Sequence, residues 1–216
     1  MSQPVDLSAP RLTTPRAAAV AGIIFSVLLL ISLILIRISI PEESPSLSDE
    51  GWLSNVRLAL NLLPFAGIAF LWFIGVVRTH IGVREDRFLA SVYFGSGVLF
   101  LGMSFMAGAA TQALLAAHAQ YGERFFDSGT FAFGGRLAYE MTNTYSLRMA
   151  AVFMFSLATL CHRTGAMPRL FVWATWALAA LLVLGLTQTL WAALLFPLWA
   201  LGFSLYLLLR PRPAQA

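Results

Sequence analysis

The sequence predicts an all-α polytopic membrane bundle of six transmembrane helices, and two observations lead there. Six long apolar runs occupy most of the 216 residues, and the fourteen basic residues, all arginine, fall mostly in the gaps between them. Hydrophobic residues make up 59% of the chain and charged residues 11%, against about 25% charged in an ordinary soluble domain. The mean hydropathy is +0.78. Inside lipid the backbone must satisfy its own hydrogen bonds, which leaves helices or a closed barrel. Continuous apolar runs without period-two alternation select helices.

A spanning helix needs roughly 20 apolar residues to cross about 30 Å of hydrocarbon. The six runs lie at 17–40, 58–77, 88–117, 142–160, 170–186 and 190–209. The first follows Arg11 and Arg16. Its uncharged core exceeds the roughly 7 to 15 residues of a signal-peptide core, and no small-x-small cleavage site follows. It reads as an uncleaved first helix. The second is interrupted by Asn61 and Pro64, and a proline removes one backbone bond and bends a helix. Pro197 in the sixth run is read the same way.

The third run is too long for its task. Helical over 88–118 it would extend roughly 46 Å at 1.5 Å per residue, so it must tilt or project from the bilayer. Gly95, Gly102 and Ala109 recur along it at heptad spacing. Small residues let helix backbones approach closely in lipid. This places the third helix at the bundle centre, and a homodimer seam is the rival reading of the same stripe. In the fourth helix a helical pattern begins near Leu137. Between the two lies an outer hairpin, 118–141, with Phe125, Phe126, Phe131 and Phe133 among glycines. Its aromatics are expected on the membrane surface or over the mouth of the bundle.

Positive charge in short loops marks the cytoplasmic side. Arg11, Arg16, Arg78, Arg84, Arg87, Arg163, Arg169, Arg210 and Arg212 all fall on one side if six helices alternate. The first connection is acidic, with Glu42, Glu43, Asp49 and Glu50. Both ends are therefore expected inside, with 1–16 and 210–216 as cytoplasmic tails around a 17–209 membrane domain. Tryptophans gather at headgroup level: Trp52 and Trp191 fall toward the outer boundary, Trp72, Trp173 and Trp176 toward the inner one, and Trp199 fits neither.

Polar groups within the spans gather at the outer ends of the second, third and fourth helices. Arg57 and Asn61 are four apart and share a face. Glu140, Thr144 and Arg148 form an i, i+4, i+8 stripe with Asn143 beside it, and Gln112 and Gln120 share a face of the third helix near His118. One reading is an outward-facing binding pocket of Arg57, Asn61, Gln112, Glu140, Asn143 and Arg148, with Glu140 paired to Arg148 or Arg57. The other is anchoring at the interface, where charges cost less than at the bilayer centre.

Several chemistries are excluded or disfavoured. Without lysine there is no Schiff base to retinal or pyridoxal phosphate. A net charge of +4 would suggest nucleic acid in a soluble protein, but here the arginines are spread over short loops, and no nucleic acid is expected. The single cysteine, Cys161, forbids an internal disulfide. His162 beside Cys161 could, with His80, make half a metal site, but a tetrahedral zinc site needs four ligands, or three plus water, and the only nearby carboxylates are Glu85 and Asp86. Ser96 has no histidine at its depth and reads as a packing serine. No catalytic residue, metal or cofactor is implied.

The segment His162-Arg163-Thr164-Gly165-Ala166-Met167-Pro168-Arg169 leads straight into an aromatic apolar helix. It resembles the Arg-[Ser/Thr]-Gly-x-x-Pro-Arg helix connector of several bacterial multi-pass membrane families of unknown function. The resemblance implies a bacterial inner-membrane protein and carries no activity. In physical terms glycine ends one helix, proline starts the next, and two arginines hold the turn at the headgroups. Two function classes follow. One is a non-catalytic membrane component, a scaffold, assembly factor or partner subunit; its partners would be the bilayer and other membrane proteins or a second copy through the Gly95/Gly102/Ala109 face. The other is a small transporter or lipid or small-molecule binder that uses the outer pocket.

Overall fold

The structure, a computed structural model, describes residues 15–39, 50–81, 87–125, 128–184 and 190–209. Expectations for Arg11, Arg84, Arg210, Arg212, Phe126 and most of the acidic first connection lie outside these residues. Among the described residues all regular structure is helical. The elements are α1 (Pro15–Ser39), α2 (Glu50–Ile81), α3 (Arg87–Tyr121), α4 (Gly129–Glu140), α5 (Leu147–Thr164), α6 (Arg169–Val183) and α7 (Leu195–Leu209). A 3₁₀ turn, Glu123–Phe125, leads from α3 toward α4, and another, Leu190–Leu194, precedes α7. Between α4 and α5 the chain stays helical through a π-helical segment, Met141–Ser146.

Five stretches are long and apolar enough to cross a membrane, namely Arg16–Ser39, Gly51–Arg78, Phe88–Tyr121, Gly129–Thr164 and Trp191–Leu209. The expected fifth span is a shorter apolar helix, Arg169–Val183, of 15 residues. That is about 22 Å at 1.5 Å per residue, less than the hydrocarbon thickness.

Most helices run beyond their apolar windows for identifiable reasons. α2 starts at Glu50 rather than 58 because its extra turns carry Trp52, Leu53 and Val56, which with Leu60 pack on Leu115 of α3. α4 starts at Gly129, well before Leu137, because Ser128 caps it. The Ser128 hydroxyl oxygen accepts from the Phe131 amide at 3.2 Å, a preferred way to satisfy a first-turn donor. Much of the expected outer hairpin is therefore helix. The α5–α6 connector forms as its residues dictate. Gly165 ends α5 with φ of 63°, the left-handed conformation that glycine adopts freely, and the Ala166 amide closes the turn on the Cys161 carbonyl at 3.0 Å. Pro168 then stands at the N-cap of α6.

α1 packs between α2 and α7, and α5 between α3 and α6. Their meeting point is aromatic. The Phe70 ring lies 4.4 Å from Phe25, 5.2 Å from Phe153, 5.4 Å from Phe100 and 5.9 Å from Phe196. These rings come from α1, α2, α3, α5 and α7. In lipid, helix association rests on close packing rather than on escape from water, and edge-on aromatic pairs supply it. Trp199, which fits neither headgroup belt, belongs to this core: it is buried and its indole N–H donates to Thr175 Oγ1 at 2.9 Å.

The placement of the third helix at the centre is corrected. In an 18-residue apolar stretch of Gly129–Thr164, 61% of the residues are buried, and in one of Phe88–Tyr121, 22%. Gly95 and Gly102 face open space, where an added Cβ would meet nothing within 4 Å. The glycines that α3 uses for packing are off the stripe: a Cβ on Gly97 would press on Ile74 and Phe153, and one on Gly108 on Leu63. Ser96 is buried and donates to the Val92 carbonyl at 2.7 Å, a packing role.

Candidate functional site

Among the described residues no hydrogen bond or ion pair joins Arg57, Asn61, Gln112 and Arg148 to one another. Arg57, Asn61, Gln112 and Arg148 are exposed, on α2, α3 and α5. Glu140 and Asn143 are neighbours at the π-helical segment, where Asn143 is buried and Glu140 half-buried. The partner of Glu140 is Arg136, at 2.5 Å, rather than Arg148 or Arg57. Arg136 is four residues upstream on the same helical face, whereas Arg57 stands on another helix. The Thr144 hydroxyl donates to the other Glu140 oxygen, also at 2.5 Å. A carboxylate with one oxygen on a guanidinium and the other on a hydroxyl is satisfied without any ligand.

Polar residues are dense through 142–146, where the helical ladder changes. The Leu147 amide donates to the Thr142 carbonyl, five residues back, which is the π pattern. Where the ladder shifts, carbonyls upstream need donors. Thr142 Oγ1 donates to the Ala138 carbonyl at 3.0 Å and the Asn143 amide nitrogen to the Tyr139 carbonyl at 3.1 Å. At the downstream end Ser146 is buried and ties α5 to α3. Its hydroxyl lies 2.8 Å from that of Ser104 and donates to the Phe100 carbonyl at 3.3 Å. Ser104 in turn donates to the Phe100 carbonyl at 2.8 Å.

The depth of the cluster follows from helix length. Asn143 stands about 31 Å along the helix from Thr164, and Gln112 about 37 Å from Arg87, at 1.5 Å per residue. That puts the cluster at one edge of a 30 Å hydrocarbon layer, and the tip of α3 some 15–20 Å beyond it if the helices stand near upright. At the same edge the Arg37 guanidinium sits 5.9 Å over the Trp191 ring. At the other edge Arg78 sits 5.4 Å over Phe94, and Trp176, its indole N–H on Thr159 Oγ1 at 3.3 Å, packs 5.4 Å from His162.

Sequence reasoning placed Ser96 and Ser104 in helix packing but missed Arg136 as the partner of Glu140 and Ser146 as the partner of Ser104. The crowding of Thr142, Asn143, Thr144 and Ser146 in an apolar run was the available signal. Among the described residues no three of His, Cys, Asp and Glu gather as metal ligands; the side chain of His80 lies outside them. Comparison with known proteins gives no matching family model, no matching curated protein and no matching solved structure.

Proposed function

We propose that this chain is a six-pass protein of a bacterial cytoplasmic membrane, with both termini inside and α6 as the short fifth span. Its role is that of a non-catalytic component, a scaffold, assembly factor or partner subunit that works through its outer surfaces. The observation that carries this reading is the outward spread of Arg57, Asn61, Gln112 and Arg148 around a centre filled by Phe25, Phe70, Phe100, Phe153 and Phe196. Exposed polar side chains of this kind are suited to anchoring helices at the headgroups and to meeting neighbours. The transporter or small-molecule reading needs the same four residues turned inward.

The face offered to a neighbour is the small-residue stripe of α3, Gly95, Gly102 and Ala109, which the chain leaves uncovered by its own helices. Close backbone approach is the usual basis of helix pairing in lipid. A photo-crosslinking side chain at Gly102, compared with one at the exposed Leu198 of α7, tests it in native membranes. A discrete protein adduct at 102, to a second copy or to one defined membrane protein, and none at 198 is expected. Adducts to lipid alone at both positions would overturn the reading.

A further inference from the structure

The π-helical segment separates a helix whose phase is fixed from one whose phase is not. Downstream, α5 buries ten residues, among them Phe153, Met154 and Leu157 with no exposed surface, and Ser146 is bonded to Ser104 and Phe100. Upstream, α4 buries none of its residues. It packs on α3 at Gly134, where a Cβ would come within 2.6 Å of a Leu114 methyl.

A π ladder, with bonds five residues apart rather than four, turns the chain less per residue. Over one such turn the lag amounts to about one residue, or ~100° of an α-helix. With α5 held, a return of Met141–Ser146 to the α ladder would rotate α4 by that step. Each α4 position would then be taken by the residue one further along the chain.

The sequence of α4 is suited to this. The residue after Gly134 is Gly135, which now faces open space. Phe131, Gly134 and Ala138, which are half-buried together with Tyr139 and Glu140, would give way to Ala132, Gly135 and Tyr139. Each set holds one aromatic residue, one glycine and one alanine at i, i+3 and i+7, so neither register puts a Cβ onto Leu114. We propose that Met141–Ser146 is a register switch, and that α4 docks on α3 in two phases, with Gly134 or with Gly135 over Leu114. The carbonyls that change partner have donors at hand in Thr142 and Asn143. Losing one residue from the segment would remove the lag and leave the present phase with an unbroken α ladder.

Disulfide trapping in membranes tests it, in a Cys161→Ala background. The pairs are Leu114→Cys with Gly134→Cys and Leu114→Cys with Gly135→Cys, each with and without deletion of Tyr145. Two cysteines bridge only when their Cβ atoms approach to about 4 Å. In the full-length segment both pairs are expected to crosslink; in the deletion variant only the 114–134 pair should. A 114–135 yield at the deletion variant's level in the full-length segment would overturn the proposal. Should the cysteine pairs fail to fold, amide exchange over 137–146 is compared between the unmodified chain and the deletion variant alone. Faster exchange in the unmodified chain is expected, and equal protection would overturn it.

Discussion

Ser104 on α3 and Ser146 at the foot of α5 face each other with their hydroxyls 2.8 Å apart, and both lie within hydrogen-bond reach of the Phe100 carbonyl, at 2.8 and 3.3 Å, so that two protons are shared among three contacts. The pair joins α3 to the start of α5 beside Phe100 of the aromatic core, next to the π-helical turn. Polar contacts between helices in lipid are modest, about 0.6 kcal/mol on average and up to roughly 1.7. Its effect is therefore more on register than on total stability.

Ser104→Ala and Ser146→Ala should each lower stability in detergent by about 0.5–2 kcal/mol. The double variant should cost less than the sum of the two, because each single change already breaks the shared bond. Denaturant titrations of all four proteins measure this. Additive losses would show that the two hydroxyls do not act together.

Phe70→Ala removes the ring that touches helices α1, α3, α5 and α7 and should cost about 3–5 kcal/mol. Phe65→Ala, on the same helix but 62% exposed, faces lipid and should change stability by less than about 0.5 kcal/mol. Equal effects in thermal or denaturant unfolding would contradict the placement of the core.

Gly97→Leu should prevent normal folding, since its side chain would drive into Ile74 and Phe153. Gly102→Leu points away from the bundle and should leave the monomer's thermal stability unchanged while abolishing any association through α3. Size-exclusion chromatography with melting curves separates the two results. A folding defect in Gly102→Leu would return α3 to the bundle interior.

Arg136→Ala removes an ion pair whose guanidinium is 72% exposed. Exposed i,i+4 pairs contribute little and are screened by salt. The melting temperature should stay within error of the parent at both low and high salt. A large, salt-insensitive loss would mean that Glu140 is held in a dry site.

Much of the architecture was legible because hydropathy and helix punctuation are local. Gly165 and Pro168 end and start helices as their backbones require, and the apolar runs mark the helices. Three features were not legible, each for a tertiary reason. The Gly95/Gly102/Ala109 stripe says that a helix can approach something closely, but not whether that is its own bundle or lipid; the packing fell to Gly97 and Gly108. The π turn joins α5, whose phase is set in the core, to α4, which packs on Leu114 of α3, and no window of residues contains both contacts. Of the six candidate site residues, Glu140 and Asn143 lie together because they are three apart on one helical run. Arg57, Asn61, Gln112 and Arg148 are exposed on three different helices, and how such groups stand to one another is a tertiary property that no local window of residues carries.

The central claim is that these exposed apolar faces are covered by lipid and that the outer belt and the α5–α6 connector lie on opposite sides of the membrane. Single-cysteine labelling in intact cells, with Cys161 replaced, tests it most directly. Tyr121→Cys, at the tip of α3, should react with a membrane-impermeant maleimide from outside. Arg163→Cys, beside Gly165, should react only after the cells are permeabilised. Labelling of both residues from the same side, or recovery of the unfractured chain in the soluble fraction without detergent, would contradict the account.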